Sequence, residues 1–124
     1  MANPNIVNVT VINGVTTYLT PANTTANVLL SNAASSGLVF KINNIVAANT
    51  TASAANTTVS IDNAAAGAGT DFPIVSAVSV PANASLIAVD KTTSFYLMEN
   101  QSIVVTSGTS SAITYTISYE SIAS

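Results

Sequence analysis

Seven charged side chains carry most of the chemistry that this 124-residue sequence could perform. They are two lysines and five acids: Lys41, Lys91, Asp62, Asp71, Asp90, Glu99 and Glu120. The sequence has no histidine and no cysteine, so the usual general base, the thiol nucleophile and the commonest zinc ligands are all missing. We therefore predict that the chain is not an enzyme, and that it has no catalytic, cofactor or metal site.

Asp62 and Asp71 are the two acids most able to meet, because they bracket a short Ala/Gly-rich segment. Glycoside hydrolysis needs two carboxylates about 5–10 Å apart, but only Phe72 offers an aromatic sugar platform nearby. Together with Asn63 and Thr70 the pair offers oxygen ligands for calcium, although the acid spacing of a calcium loop is absent. Capping or turn roles are the preferred interpretation, and calcium binding at residues 62–71 stays open.

Asp90, Lys91 and Glu99 form a second group, at the end of one predicted strand and the turn that follows the next. They either form a small ion cluster that fixes this corner or supply polar contacts to a partner. These three residues are the expected specific partner contacts.

Alternation of apolar and polar residues dominates the chain and predicts half-buried strands. From Ile113 to Glu120, the odd positions are Ile or Tyr and the even positions are Thr, Ser or Glu. Turn signals recur at the spacing of β-sandwiches, so we predict a single all-β domain, 1–124, forming an antiparallel sandwich of about 8–10 short strands. The predicted strands are 6–12, 15–20, 27–31, 38–46, 56–62, 74–80, 85–90, 94–98, 102–107 and 112–120.

Several local features refine this prediction. Asn13-Gly14 lies between Val-rich runs and predicts a tight hairpin turn. Shifts in the alternation at Asn43-Asn44 and Glu120-Ser121 predict β-bulges. Segments 47–55 and 63–70 lack an apolar stripe and are predicted to be ordered loops. Strands 74–80 and 102–107 are apolar on both faces, so each is either covered twice within the fold or faces another chain.

The predicted outer surface is rich in Thr, Ser and Asn, and only 6% of the chain is charged. A neutral polar surface can be buried in a partner without stripping water from a charge, which favours a subunit of a large assembly. Two basic residues cannot neutralise a run of phosphates, so we predict no nucleic-acid partner. No apolar run has the length of a membrane span, and the first residues do not resemble a secretory leader, so we expect synthesis in a cytoplasm and no membrane partner.

Two short motifs carry a family resemblance: Tyr96-Leu97-Met98-Glu99, and Ser118-Tyr119-Glu120 near the end of the chain. In these motifs the last forty-odd residues resemble small virion structural proteins of tailed phages, particularly those that infect cyanobacteria. The first eighty residues resemble these proteins only in general character and share no motif with them. The resemblance implies a jelly-roll or Ig-like sandwich that decorates a capsid or forms part of a neck or fibre.

The function that this resemblance implies is a capsid decoration or cement protein that binds the outer lattice of the virion and stabilises the shell. The expected partners are the major capsid protein or other virion proteins, with further copies of the chain in a homo-oligomer, guessed to be a trimer. The alternative is a neck, tail-fibre or receptor-binding module that contacts host-surface glycans. The expected core or interface anchors are Tyr96, Leu97, Tyr115, Ile117 and Tyr119.

Overall fold

Nine β-strands make up most of the described chain. The computed structural model describes residues 4–124; residues 1–3, on which the expectation about a secretory leader partly rests, lie outside the described residues. The strands are β1 (Val11–Leu19), β2 (Asn27–Asn32), β3 (Leu38–Asn49), β4 (Ala55–Asp62), β5 (Asp71–Val80), β6 (Ser85–Val89), β7 (Phe95–Leu97), β8 (Gln101–Ser107) and β9 (Ile113–Ala123). One short 3-10 helix, Lys91–Thr93, connects β6 to β7.

The strands form two antiparallel sheets packed face to face, which confirms the predicted all-β sandwich. The first sheet has the order β1-β9-β3-β6, with β7 also paired to β3, and the second has the order β2-β8-β4-β5. Val, Ile and Thr are frequent in these strands because their branched side chains suit a pleated sheet.

The pairing pattern defines the topology as a jelly roll. Strand β1 pairs with β9, β2 with β8, β3 with β6 and β7, and β4 with β5, all antiparallel. The chain is therefore one long hairpin whose two arms pair from the outside inward and wrap across two sheets. This order differs from that of an immunoglobulin sandwich, so of the two predicted topologies the structure has the jelly roll.

The core lies between the two sheets and is filled by alternate residues of the central strands. In β9, Ile113, Tyr115 and Ile117 are fully buried, while the intervening Thr114 and Thr116 are partly exposed. The first sheet also buries Phe40, Ile42, Ile45 and Leu97, and the second buries Val59, Ile103 and Val105. Burial of these apolar side chains supplies the main stabilising free energy of such a fold.

The predicted hairpin at Asn13-Gly14 is wrong. Both residues lie within β1, which pairs with β9 without interruption from Val11 to Leu19. Gly14 does not have the positive φ that a type I′ turn requires. Nine consecutive partners on β9 outweigh the local turn preference, so the two strands predicted on either side of this dipeptide are one.

One of the two predicted bulges is confirmed. The register between β3 and β9 shifts between Ile42 and Asn44, where the alternation of β3 changes phase. At Glu120-Ser121 the prediction is wrong, because pairing runs continuously through these residues on both sides. The apolar residue beyond them, Ile122, is instead buried on the outer face of the first sheet, in register with Val39.

One of the two predicted loops is confirmed and the other is shorter than predicted, and the two strands that are apolar on both faces occupy different places in the second sheet. Loop 63–70 is confirmed, whereas β3 extends to Asn49, so the other loop covers only residues 50–54. Strand β8 is central, and loop 63–70 covers its outer face near Val104, where Gly67 approaches closely. Strand β5 is an edge strand, and much of it is exposed.

Candidate functional site

An apolar hollow on the outer face of the first sheet is one candidate contact surface. It has a volume of about 240 Å³ and is lined by Pro4, Ile6, Val39, Tyr96 and Met98. Ile6, Tyr96 and Met98 are 52%, 45% and 43% exposed. Because these three large side chains surround a buried Val39, the hollow has an apolar floor and an apolar rim open to solvent.

A polar hollow of about 400 Å³ is a second feature of the same sheet. It is lined by Lys41, Asn43, Lys91, Ser94 and Glu120, and it therefore contains both lysines of the sequence. Lys41 and Glu120 are cross-strand partners on β3 and β9. Strand β7 pairs with β3 and brings the segment just before it, which carries Lys91 and Ser94, against this part of the sheet.

The two hollows are neighbours, because Lys41 of the polar hollow is the cross-strand partner of Tyr96 of the apolar hollow. Together they place apolar anchors beside a small group of charges on one face, a composition typical of protein–protein contact surfaces. We call the residues that line the two hollows the contact face. The sequence pointed to Tyr96 and Lys91 but missed the face, because it depends on pairing between segments about fifty residues apart.

The predicted cluster of Asp90, Lys91 and Glu99 does not form. The Asp90 carboxylate caps the short 3-10 helix by accepting hydrogen bonds from Thr92 N (2.9 Å) and Thr92 Oγ1 (2.6 Å). These bonds lower the pKa of Asp90. Both oxygens of Glu99 are buried and lack a hydrogen-bond partner among residues 4–124, and Lys91 lines the polar hollow.

The five expected anchors divide between the core and the surface. Leu97, Tyr115 and Ile117 are fully buried, Tyr119 is half-buried, and Tyr96 is exposed in the contact face. The structure therefore places three of them in the core between the sheets and Tyr96 on the surface.

Tyr115 shows how the core accommodates a polar group. Its hydroxyl donates to the Thr106 carbonyl at 3.0 Å and also bonds the Thr57 hydroxyl. Burial raises the pKa of Tyr115, and the bond to Thr57 partly opposes that shift. Because these partners satisfy the hydroxyl, the ring can fill the core without leaving an orphan polar atom.

Asp62 and Asp71 do come together, as cross-strand partners where β4 ends and β5 begins. Burial works against ionisation of Asp62, but hydrogen bonds from the Asp71 carboxyl and from the Ala64 and Gly69 amides lower its pKa overall. The hydrogen bond to Asp62, with burial and charge repulsion, raises the pKa of Asp71. No aromatic sugar platform other than Phe72 flanks the pair on β5, so the arrangement gives no support to glycoside hydrolysis.

The described part of the chain contains neither a membrane-spanning helix nor a cluster of three metal-ligating side chains. Within residues 4–124, no helix has the length and apolar character needed to cross a bilayer. Within the same residues, no three acidic, histidine or cysteine side chains cluster as a metal-ligand group.

Comparison with known proteins supports the fold. No protein-family model matches the sequence, and no curated protein is significantly similar to it. A solved structure described as "Bacillus endospore appendages form a novel family of disulfide-linked pili" is similar, with a TM-score of 0.53 and 18% sequence identity. The match covers 92% of this chain and 88% of that one. At this identity the likeness shows a shared all-β sandwich fold.

Proposed function

We propose that this chain is a non-enzymatic structural protein that works as a subunit of a larger protein assembly. The observation that carries the proposal is the contact face, where Ile6, Tyr96 and Met98 leave large apolar surface exposed around one hollow. Exposed apolar side chains grouped in this way mark protein contact sites more often than free surface. The absence of histidine and cysteine from the sequence supports the non-enzymatic part of the proposal.

The low charge of the chain supports assembly by a physical argument. Only seven side chains are charged, so subunits that approach one another meet little electrostatic repulsion. Burying Thr, Ser and Asn against a neighbour costs less desolvation free energy than burying Lys or Glu. Net repulsion keeps many soluble proteins apart, and here it is weak.

The first candidate assembly is a phage virion, as the sequence resemblance implies. The chain would form a homo-oligomer, such as a trimer, that decorates the outer capsid lattice, binds the major capsid protein and is located in the virion. Binding only to the assembled shell would stabilise that shell through mass action. A neck, fibre or glycan-contacting part of the virion is the alternative location.

The second candidate is a subunit of a filament, which the fold favours because a protein of similar fold comes from a structure described as disulfide-linked pili. This chain has no cysteine, so its own filament would be held together by non-covalent contacts. Such a filament would rely on apolar and hydrogen-bonded surfaces like the contact face.

One experiment separates these candidates. The purified chain is imaged by electron microscopy alone and after mixing with undecorated phage shells, and the shells are then heated with and without it. Discrete oligomers that bind shells and raise their melting temperature support the decoration protein. Filaments in the protein-only sample support the second candidate. Monomers that neither polymerise nor bind shells would overturn the proposal.

A further inference from the structure

The carboxylates of Asp62 and Asp71 share one face at the edge of the second sheet. Asp62 is the last residue of β4 and Asp71 is the first of β5, and the two are directly opposite each other. Directly opposite residues of an antiparallel pair project to the same side of the sheet. Two ionised carboxylates in this position repel each other unless a positive charge or a proton lies between them.

Asp62 has one satisfied oxygen and one orphan oxygen. Its side chain is fully buried, and Oδ1 accepts hydrogen bonds from Ala64 N at 2.8 Å and Gly69 N at 3.0 Å. Its Oδ2 is buried and accepts no hydrogen bond from an amide, hydroxyl or amine of the described residues, so only a proton on Asp71 or an external cation can bridge it to that carboxyl. A buried carboxylate oxygen without a donor or cation is costly, so this atom indicates a missing ligand.

Asp71 is exposed to solvent, whereas Asp62 directly opposite it is buried. Loop 63–70 closes the other side of Asp62, because its Ala64 and Gly69 amides hold Asp62 Oδ1. The pair therefore combines a buried carboxylate held in place by the loop, Asp62, with a solvent-accessible carboxylate, Asp71.

Neither lysine of the chain can supply the missing positive charge. Lys41 and Lys91 both line the polar hollow of the first sheet, whereas Asp62 and Asp71 belong to the second sheet. Asp62 is in register with Ser102 on the face that loop 63–70 covers, which is the outer face of that sheet. A compensating positive charge other than a proton shared by the two carboxyls must therefore come from outside the described residues.

We propose that Asp62 and Asp71 bind a hard divalent cation, Ca²⁺ or Mg²⁺, between Asp62 Oδ2 and the Asp71 carboxylate. Both protein ligands are carboxylate oxygens, which these two ions prefer to the nitrogen and sulfur ligands that suit zinc. We do not assign Asn63 as a ligand; its Oδ1 accepts a hydrogen bond from Thr70 N at 2.8 Å within the loop. Water fills the remaining positions, so the dissociation constant should lie around 10⁻⁴–10⁻³ M.

The bound ion would tie the two ends of loop 63–70 together and fasten edge strand β5 to β4. It differs from the sequence-based prediction of no metal site and takes up the calcium alternative that the sequence left open at residues 62–71. The site goes beyond the proposed assembly, because its ligands lie on the opposite sheet from the contact face.

The test is a titration of the intact ¹⁵N-labelled chain at neutral pH with CaCl₂, with MgCl₂ and with NaCl at matched ionic strength. The amide signals of Ala64 and Gly69 report directly on Asp62, and that of Thr92 reports on the capping carboxylate Asp90 as an internal control. We expect saturable shifts at Ala64 and Gly69 with at least one divalent salt, and little change at Thr92. Shifts that do not saturate, or that are equal at Thr92, would overturn the proposal.

Two variants make the titration specific. Asp71→Asn keeps the size of an exposed side chain while removing one ligand charge, and should weaken the divalent affinity roughly 10-fold or more. Asp90→Asn removes the same charge elsewhere and should leave the affinity unchanged. The same spectra report whether each variant is folded, and Asp71→Ser replaces Asp71→Asn if that variant is not. Unchanged affinity in a folded Asp71 variant would contradict the assignment.

Discussion

At the scale of single residues, the packing of Phe40 gives the sharpest test of the core. Phe40 is 7% exposed, and its ring packs against that of Tyr119 with centroids 4.9 Å apart. Phe40→Ala should lower the free energy of unfolding by about 3–5 kcal/mol, because it removes buried apolar surface and leaves a cavity. Urea denaturation measures this change.

The neighbouring residue supplies the matched control. Lys41 points to the opposite face of β3, into the polar hollow. Lys41→Gln should change the free energy of unfolding by no more than about 0.5 kcal/mol. Equal losses for the two variants would show that the faces of β3 have been assigned wrongly.

The hydroxyl of Tyr115 is a second residue-scale test. It bonds the Thr106 carbonyl and the Thr57 hydroxyl inside the core. Tyr115→Phe leaves the ring in place but removes these bonds, so unfolding should become easier by about 1–3 kcal/mol. Thermal or urea unfolding checks this, and an unchanged midpoint would mean that the Thr57 and Thr106 oxygens find other partners.

Asp90 gives the pH prediction. Its folded-state pKa is lowered by the hydrogen bonds from Thr92, so the folded chain binds a proton at Asp90 less readily than the unfolded chain does. The resulting stabilisation is present above the ordinary value of 3.8 and is lost as the pH falls through the lower folded pKa. A carboxyl ¹³C titration of the folded protein should show a midpoint below 3.8 for Asp90. A midpoint at or above that value would mean that the cap does not form in solution.

At the scale of elements, loop 63–70 depends on a glycine for space. A Cβ at Gly69 would clash with Asn63 Oδ1 and would lie 2.8 Å from Asp62 Oδ1, and Asp62 is buried. Gly69→Ala should therefore push the loop away from Asp62 and destabilise the protein by about 1–3 kcal/mol. Gly14→Ala is the control, because a Cβ at Gly14 meets nothing within 4 Å.

The readout for this pair of variants is the unfolding midpoint together with hydrogen exchange of the backbone amide at position 69. That amide donates a hydrogen bond to Asp62 in the wild type, so we expect it to exchange slowly there and faster in the Gly69→Ala variant. If Gly69→Ala and Gly14→Ala behave alike, the loop does not pack on Asp62 as described.

Elements are also the scale at which sequence reasoning succeeds or fails for physical reasons. The alternation of β9 correctly predicted which of its residues are buried, because the face on which a side chain lies is set by its place along its own strand. The hairpin predicted at Asn13-Gly14 was wrong because pairing with β9, a strand about a hundred residues away, outweighs the local turn preference of this dipeptide. The meeting of Asp62 and Asp71 was predictable, because two strands joined by a short loop pair with each other.

At the scale of the whole molecule, the sequence predicted a sandwich but could not choose its strand order. Jelly-roll and immunoglobulin sandwiches have similar strand lengths and turn spacings, and they differ in which distant strands pair. The contact face was unpredictable for the same reason, because Lys41 and Tyr96 become neighbours only when β7 pairs with β3.

The whole-molecule claim is that the contact face holds copies of the chain together, as both a decorating homo-oligomer and a filament would require. Tyr96→Glu places a charge in the apolar hollow and should disrupt that contact without affecting the core, since Tyr96 is exposed. Phe72→Glu is the matched control, because Phe72 is an exposed aromatic residue of β5 in the other sheet.

The most direct measurement is sedimentation of these three proteins over a wide concentration range. We predict that the wild type and Phe72→Glu sediment as oligomers or polymers, and that Tyr96→Glu shifts towards the 12.5 kDa monomer. A wild-type chain that stays at 12.5 kDa at every concentration, or a Tyr96→Glu variant that associates as the wild type does, would contradict the claim.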